Sequence, residues 1–193
     1  MQKGGYLPKR YVLTGAPGSG KTALLGALRQ RGHVVVEEAA TDVIAGQQAR
    51  GIAEPWLRGD FVDLIARLQQ QRQKTPVPDT VGVQLYDRSP LCTLALARYL
   101  GRPVTPVLVA EVDRVLREQV YEPAVFLIRP LGFIEPTAAR RISYADSLAF
   151  EQVHEAVYRE HRFELVDVPA SSLSDRVAIV EAHLAADRNS GDI

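Results

Sequence analysis

The segment from Gly15 to Thr22, Gly-Ala-Pro-Gly-Ser-Gly-Lys-Thr, has the residue types and spacing of a phosphate-binding loop, G-x-x-x-x-G-K-S/T. Its glycines allow successive backbone N–H groups to face one anion, and a helix that begins near Lys21 directs the positive end of its dipole at the same point. The Lys21 ammonium can contact β- and γ-phosphate oxygens, and the Thr22 hydroxyl can bind Mg²⁺. We therefore expect a nucleoside triphosphate and Mg²⁺ to bind at Gly15, Ala16, Pro17, Gly18, Ser19, Gly20, Lys21, Thr22 and Ala23.

A second group that could do chemistry is Asp87-Arg88-Ser89, which follows an apolar run at 81–86. If this run is a strand beside the one that precedes the glycine loop, Asp87 lies next to the γ-phosphate. A carboxylate there can bind Mg²⁺ or its water, or orient an acceptor hydroxyl, and Arg88 can bind the transferring group. The alternative is that the two side chains form only an ion pair at the start of a helix.

Two adjacent carboxylates, Glu37 and Glu38, end the β-branched run at 33–37. Either could act as the base for an acceptor hydroxyl, and we expect the proximity of two like charges to raise one pKa. Alternation along the strand favours Glu38, which begins the turn. The alternative is a solvated pair of charges before a helix.

The segment 130–146 carries Arg140 and Arg141 among prolines and threonines. In small kinases this place holds a mobile lid whose arginines close over the phosphates, neutralise developing charge and exclude water. We predict these roles for Arg140 and Arg141, with an ordinary basic surface loop as the alternative.

Short β-branched runs alternate with longer helical patterns, which is typical of a parallel sheet with crossover helices. The predicted strands are 11–14, 33–37, 81–86, 124–129 and 163–168, and the predicted helices are 21–30, 60–71, 91–100, 107–119, 145–159 and 175–186. We predict an α/β fold in which a parallel five-stranded sheet forms the middle of three α/β/α layers. Ligands bind such sheets at the carboxyl ends of the strands, where the residues above lie.

The chain of 193 residues, with 46% hydrophobic and 24% charged residues, has the composition of one globular domain. We expect a single domain over residues 1–193, with a core at about 8–186 and a polar, fraying tail at 187–193. The 23 basic and 23 acidic residues cancel, which argues against nucleic-acid or anionic-membrane partners. Neither a membrane-spanning run nor a secretory signal is evident, so we expect a cytoplasmic protein. A homo-oligomer is possible.

The sequence lacks the motifs of several other classes of nucleotide-binding or metal-binding protein. The only asparagine is Asn189, so a guanine-binding Asn-Lys-x-Asp motif is absent, and the sequence has no LSGGQ-like transporter signature. Motor ATPases usually carry a strand that ends in Asp-Glu, whereas the matching strand here ends in Tyr86-Asp-Arg-Ser. His154-Glu155 begins a zinc-binding helix motif, but Tyr158 stands where the second histidine is needed. Small phosphotransferases remain.

Taken in chain order, the glycine loop, Glu37-Glu38, Asp87-Arg88-Ser89 and Arg140-Arg141 resemble the AAA_28 family of predicted ATPases, relatives of the nicotinamide riboside kinase domain of NadR. More broadly, the chain is similar to deoxynucleoside and thymidylate kinases. The resemblance covers roughly residues 8–186 and implies a P-loop NTPase fold of the nucleotide-kinase type. It also implies that Glu38 is the hydroxyl-activating base. His161-Arg162 departs from the family, whose members often have a glycine there.

We expect transfer of the γ-phosphate of ATP to a small nucleoside or nucleotide acceptor, with catalytic roles for Lys21, Glu38, Asp87, Arg88, Arg140 and Arg141 and metal-binding roles for Thr22 and Asp87. The acceptor pocket would be lined from 38–75 and 87–99. Trp56, Phe61 and Gln69–Gln71 could contact a base there, or could equally be core residues and a solvated helix face. The alternative function is a switch module that binds and hydrolyses ATP and signals to a protein partner.

Overall fold

The computed structural model describes residues 8–132 and 143–190. Its strands form one parallel sheet of five strands in the order β2-β3-β1-β4-β5. The strands are β1 (Lys9–Thr14), β2 (Val34–Val36), β3 (Val83–Asp87), β4 (Ala124–Ile128) and β5 (Glu164–Val168). The predicted parallel five-stranded sheet is therefore confirmed, and β1, which leads into the glycine loop, lies at its centre.

Helices cover both faces of this sheet. Within the described residues they are α1 (Lys21–Gln30), α2 (Ala39–Gln48), α3 (Phe61–Lys74), α4 (Pro90–Tyr99), α5 (Pro106–Arg117), α6 (Tyr144–Glu160) and α7 (Leu173–Ser190), with one 3₁₀ turn at Pro55–Leu57. The core of one face joins the sheet to α1 and α7, and that of the other joins it to α3, α4, α5 and α6. The three-layer α/β/α prediction is confirmed.

The pattern of β1 explains its central place. Tyr11 and Leu13 pack with the leucines of α1 and the valines of α7, whereas Val12 packs toward α4 and α5 on the opposite face. Each of the three strand side chains, Tyr11, Val12 and Leu13, is at most 1% exposed. Strands that are covered on both faces need apolar residues at every position, and the run Tyr-Val-Leu supplies them.

Helix α2 is absent from the sequence prediction. Its β-branched residues and its glycine have low helix propensity and interrupt the alanines and glutamines that favour a helix, so the helical signal of this segment is weak. Val43 and Ile44 instead pack against a small apolar cluster that contains Phe61 and Ile65 of α3. Tertiary packing therefore holds α2 in place above the end of β2.

The last helix is longer than the sequence predicts. It continues to Ser190, so the segment expected to fray from Asp187 begins as helix. The Asp187 carboxylate accepts a hydrogen bond from Lys9 Nζ at 2.7 Å and another from the Tyr11 hydroxyl, which fixes the end of the helix to the start of β1. Within residues 8–132 and 143–190, every helix is too short or too polar to cross a membrane.

Candidate active site

The glycine loop connects β1 to α1 through backbone conformations that side chains disfavour. Gly15, Gly18 and Gly20 have φ angles of 135°, 81° and 86°. A Cβ atom at Gly15 would lie 2.4 Å from the carbonyl oxygen of Ile128, so only glycine fits there. Because Gly20 precedes α1 without a capping side chain, the first N–H groups of the helix can bind an anion.

The Lys21 side chain is folded onto this loop. Its Nζ atom lies 3.2 Å from the carbonyl oxygen of Gly15, 3.0 Å from that of Ala16 and 3.3 Å from Ser19 Oγ. All three partners are neutral, although the ammonium group is buried. Phosphate oxygens can replace these loop oxygens as partners, because they are stronger acceptors for a charged donor.

The surroundings of Lys21 lower the pKa of its ammonium group. Burial is the main cause of a pKa lowered to about 8, and the positive charge of Arg88 lowers it further. The carboxylates of Asp87 and Glu38 act in the opposite direction but do not outweigh burial. A polyphosphate bound at the loop would favour the charged form of this lysine.

Asp87 ends β3 directly beside β1, where its Cα pairs with that of Leu13. The strand that ends at Asp87 therefore lies beside the strand that precedes the glycine loop, as the predicted role of Asp87 requires. The side chain is buried, and its Oδ1 atom has no hydrogen-bond partner within the described residues. Burial raises the pKa of this carboxyl, and the positive charge of Lys21 only partly offsets that effect.

An unpartnered carboxylate oxygen beside a phosphate loop fits Mg²⁺ or a water bound to it. Thr22 lies exposed at the start of α1, where its hydroxyl can serve as a second ligand. Within the part of the chain that the structure describes, no cluster of three His, Cys, Asp or Glu side chains could hold a metal ion. This donor set suits Mg²⁺ in kinases, which is usually bound by one or two protein groups together with phosphates and water.

Arg88 stands at the corner between β3 and α4. Its φ of 73° is unusual for a residue with a side chain, and its N–H donates to the carbonyl oxygen of Leu13 at 3.1 Å. Ser89 caps α4 by accepting the N–H of Leu91 at 3.2 Å, and its hydroxyl lies 2.7 Å from the Tyr158 hydroxyl. These bonds hold the corner in a conformation that turns the Arg88 side chain toward Glu38.

The Arg88 guanidinium joins two distant elements at the site. Its Nε donates to Glu38 Oε1 at 2.6 Å, and its Nη1 lies 3.0 Å from His154 Nε2. Only 12% of the side chain is exposed. Burial is the largest single effect and would lower its pKa, but Glu38, Cys92 and Asp87 together outweigh burial and the pKa is raised. The guanidinium is a permanent positive charge beside the loop.

Glu38 and Glu37 face different surroundings. Glu38 also accepts a hydrogen bond from Thr41 Oγ1 at 2.8 Å, whereas Glu37 turns outward and forms an exposed ion pair with Arg29. Burial is the largest single effect and would raise the pKa of Glu38, but the charges of Arg88 and Lys21 and the hydrogen bonds to the carboxylate together outweigh it and the pKa is lowered. The expectation of a pKa raised by a second carboxylate is wrong for Glu38, because its neighbour is a guanidinium.

The other predicted contacts divide into two groups. Arg140 and Arg141 lie outside the described residues, and the end of the predicted lid segment, 144–146, belongs to α6. Phe61 is a core residue, Gln69 accepts a hydrogen bond from Thr93 Oγ1, and Gln70 donates to Glu111 Oε2. These three side chains pack or form hydrogen bonds with other elements of the protein and do not form a base-binding surface.

Two residues at the site were not predicted from the sequence. Arg176 of α7 donates Nη1 to the carbonyl oxygen of Ser19 at 2.6 Å and Nη2 to that of Arg129 at 2.7 Å, so it supports the loop from below. His154 contacts Arg88 from α6. Neither belongs to a local motif, and the histidine stands in an incomplete zinc pattern, so short-range spacing offers no signal for them.

Solved structures with the same fold include kinases. A NadR protein solved with NAD and AMP-PNP is 17% identical, with a TM-score of 0.64 over 91% of this chain and 49% of that chain. Deoxyadenosine kinase from M. mycoides, solved with dCMP and dCDP, is 12% identical, with a TM-score of 0.60 over 92% of this chain and 98% of that chain. The chain thus spans about half of the NadR chain. At these identities the likeness establishes the fold.

No curated protein matches the sequence significantly. The family model AAA_28, described as an AAA domain, matches residues 10–176, which include the glycine loop, Glu38, Asp87 and Arg88. The match begins in β1 and ends in the first turn of α7. The chain therefore belongs to the AAA_28 family of AAA domains, and it has a P-loop nucleotide-binding fold like that of nucleoside kinases.

Proposed function

We propose that this protein transfers the γ-phosphoryl group of ATP to a hydroxyl of a small nucleoside or nucleotide acceptor. The observation that carries the proposal is the Glu38–Arg88 ion pair, 2.6 Å long, at the same sheet edge as Lys21 and Asp87. A carboxylate that can bind a hydroxyl and a guanidinium that can bind a phosphoryl group are there held side by side. Hydrolysis alone does not require such a pair.

The triphosphate binds at the glycine loop. The N–H groups at the start of α1 and the Lys21 ammonium contact the β- and γ-phosphates, and Lys21 gives up its bonds to the loop oxygens. Thr22 and Asp87 would hold Mg²⁺, which when bound neutralises charge on these phosphates. The desolvation that raises the pKa of Asp87 is then compensated.

The acceptor binds on the side of Glu38. Because its pKa is lowered, Glu38 is ionised at neutral pH and accepts a hydrogen bond from the acceptor hydroxyl. It is a weak base, so its main task is to orient the hydroxyl in line with the γ-phosphorus and to receive the proton as the new P–O bond forms. Such late proton transfer suits the loose transition state of phosphoryl transfer, and Arg88 stabilises charge on the transferring group.

The test is ADP release from ATP and Mg²⁺ across nucleosides, nucleoside monophosphates and nicotinamide riboside. We expect one acceptor class to raise the rate at least tenfold, and Lys21→Ala or Asp87→Asn to abolish that rise. Glu38→Gln should lower acceptor-dependent turnover by about 100-fold, since the hydroxyl loses its charged partner. Glu37→Gln is the matched control, because its carboxylate faces Arg29 and solvent.

A flat panel would overturn the kinase proposal for the acceptors tested. If slow hydrolysis then depends on Lys21, the protein is better described as an ATP-dependent switch, and a partner that binds only the ATP-loaded form would establish that role. Equal losses in the Glu38 and Glu37 variants would contradict the specific assignment of the acceptor hydroxyl to Glu38.

A further inference from the structure

His154 is a fully buried histidine whose two ring nitrogens both have partners. Nδ1 lies 2.9 Å from the carbonyl oxygen of Phe150, one turn earlier in α6, and Nε2 lies 3.0 Å from Arg88 Nη1. A carbonyl oxygen only accepts and a guanidinium nitrogen only donates. The ring must therefore carry its proton on Nδ1 and accept a hydrogen bond from Arg88 at Nε2.

The surroundings keep the ring neutral and in place. Burial lowers the pKa of His154 well below its usual range, and the charges of Arg88 and Lys21 lower it further. A protonated ring would lose the lone pair that accepts from Arg88. The ring also packs against Phe150 with centroids 4.2 Å apart, and Phe150 stacks on Tyr99 at 4.6 Å.

Two bonds fix the plane of the Arg88 guanidinium. Nε is bonded to Glu38 and Nη1 to His154, while Nη2 has no hydrogen-bond partner within residues 8–132 and 143–190. A guanidinium is a rigid planar fork, so holding two of its corners sets the direction of the third. Glu38 alone leaves the fork free to pivot, and Glu38 must also bind the acceptor hydroxyl.

We propose that His154 is a positioning residue, which holds Arg88 so that its Nη2 donors face the transferring phosphoryl group. The inference rests on the proposed function, because it assigns His154 a part in the same reaction. His154 contacts the guanidinium and neither substrate. It keeps Arg88 in place when the acceptor hydroxyl draws Glu38 into a second hydrogen bond.

The kinetic test compares His154→Leu with His154→Gln. Leucine fills similar volume without an acceptor, and we expect it to lower kcat about 100-fold while the KM for ATP changes less than threefold. Glutamine places an amide oxygen near the position of Nε2, and it should restore kcat to within tenfold of the native value. Val157→Ala is the control, because Val157 is equally buried in α6 and its side chain belongs to the apolar core. Equal losses in kcat for the leucine and glutamine variants, or native kcat in both, would overturn the proposal.

A second measurement is independent of activity and of how well the leucine variant folds. In ¹⁵N spectra of the native protein, the His154 ring, assigned by its loss in His154→Gln, should show the neutral Nδ1–H tautomer from pH 5.5 to 8. A protonated ring or an Nε2–H tautomer would contradict the contact with Arg88. If no acceptor supports turnover in the native protein, the proposed function fails, whereas the tautomer still decides whether His154 holds Arg88.

Discussion

The strands of the sheet begin at one end, here called the amino edge, and finish at the other, the carboxyl edge. These two ends of the sheet differ in how fully their charges are paired. At the amino edge, where the strands begin, clefts of about 340 Å³ and 1000 Å³ open at the surface. Two of the cations that line the larger cleft form ion pairs, Lys9 with Asp187 and Arg31 with Glu181. At the carboxyl edge, Asp87 has a buried oxygen without a partner within the described residues. A buried carboxylate oxygen without a hydrogen-bond partner, rather than a large cavity volume, therefore identifies the candidate ligand site.

Backbone strain occurs at both edges and has a different meaning at each. Gln119 and Arg162 at the amino edge have φ angles of 48° and 63°, close to the 73° of Arg88. Each follows the C-cap residue of its helix, α5 or α6, where a left-handed residue commonly terminates a helix. At Arg88 the same conformation directs a buried guanidinium toward Glu38. Positive φ alone does not identify a functional residue, but its side-chain contacts do.

The largest contrast between the edges should come from removing one basic side chain at each. Lys21→Ala is expected to lower acceptor-dependent turnover at least 100-fold, because it removes the charge that stabilises the transferring phosphates. Arg31→Ala at the amino edge breaks only an exposed ion pair and should leave turnover within twofold of native. Steady-state kinetics of both variants tests this prediction. Similar losses of turnover in the two variants would contradict the distinction between the edges.

Raising the pH should weaken ATP binding. The pKa of Lys21, about 8, makes its protonated fraction fall from about ten elevenths at pH 7 to about one eleventh at pH 9. Because the phosphates bind the charged form, affinity should fall about tenfold over this range, as titration calorimetry can measure. Lys21→Arg keeps its charge, so its affinity should not change with pH in this way. A flat profile for the native protein would show that Lys21 keeps its proton.

Asp87→Asn and Asp187→Asn should change stability in opposite directions when Mg²⁺ is absent. Hydrogen bonds from Lys9 and Tyr11 lower the pKa of Asp187, so its stabilisation is present above the unfolded pKa and is lost as pH falls through the folded one. Its removal should cost up to about 1 kcal/mol at pH 7, a value limited by solvent screening.

Burial raises the pKa of Asp87, so its ionised form destabilises the fold once the pH exceeds the unfolded pKa. Asparagine should therefore increase the free energy of unfolding at pH 7, and this gain should disappear in acid. Urea denaturation of both variants at pH 7 and pH 4 tests the pair. Destabilisation by both variants at pH 7 would contradict the absence of a partner for Asp87 Oδ1 within the described residues.

The smallest expected effect concerns the strained residues at the amino edge. Gln119→Gly and Arg162→Gly should each raise the free energy of unfolding by about 0.5 kcal/mol, since relief of a positive φ exceeds the entropy that glycine adds to the unfolded chain. Asp113→Gly, on the exposed side of α5, should lower it. Arg88→Gly would relieve similar strain but should abolish phosphoryl transfer. Calorimetric unfolding of these variants measures the changes in stability. A loss of stability in both Gln119→Gly and Arg162→Gly would contradict this prediction.

The residues that the sequence identifies are those whose chemistry is local. The glycine loop, Lys21 and Thr22 occupy one short segment, so their spacing alone predicts a phosphate site. Asp87 required one further condition, that β3 lies beside β1, and the strand order meets it. The alternation of β-branched and helical segments was enough for the sheet, because strands buried on both faces are continuously apolar.

The residues that sequence reasoning missed depend on contacts between distant elements. His154 meets Arg88 across 66 residues, and nothing in the sequence near either residue reports on the other. The same holds for the pKa of Glu38, because the sequence shows the neighbouring Glu37 but not the guanidinium that folding brings to it. Helix α2 was missed because packing, rather than propensity, stabilises it.

The bond from Arg176 to the carbonyl oxygen of Ser19 has a consequence for biosynthesis. A ribosome makes the chain from its amino terminus, and Arg176 is added 157 residues after Ser19. A nascent chain that already contains the whole glycine loop therefore lacks the side chain that supports it until α7 is made. The proposed ability to hold a triphosphate should thus arise late in synthesis.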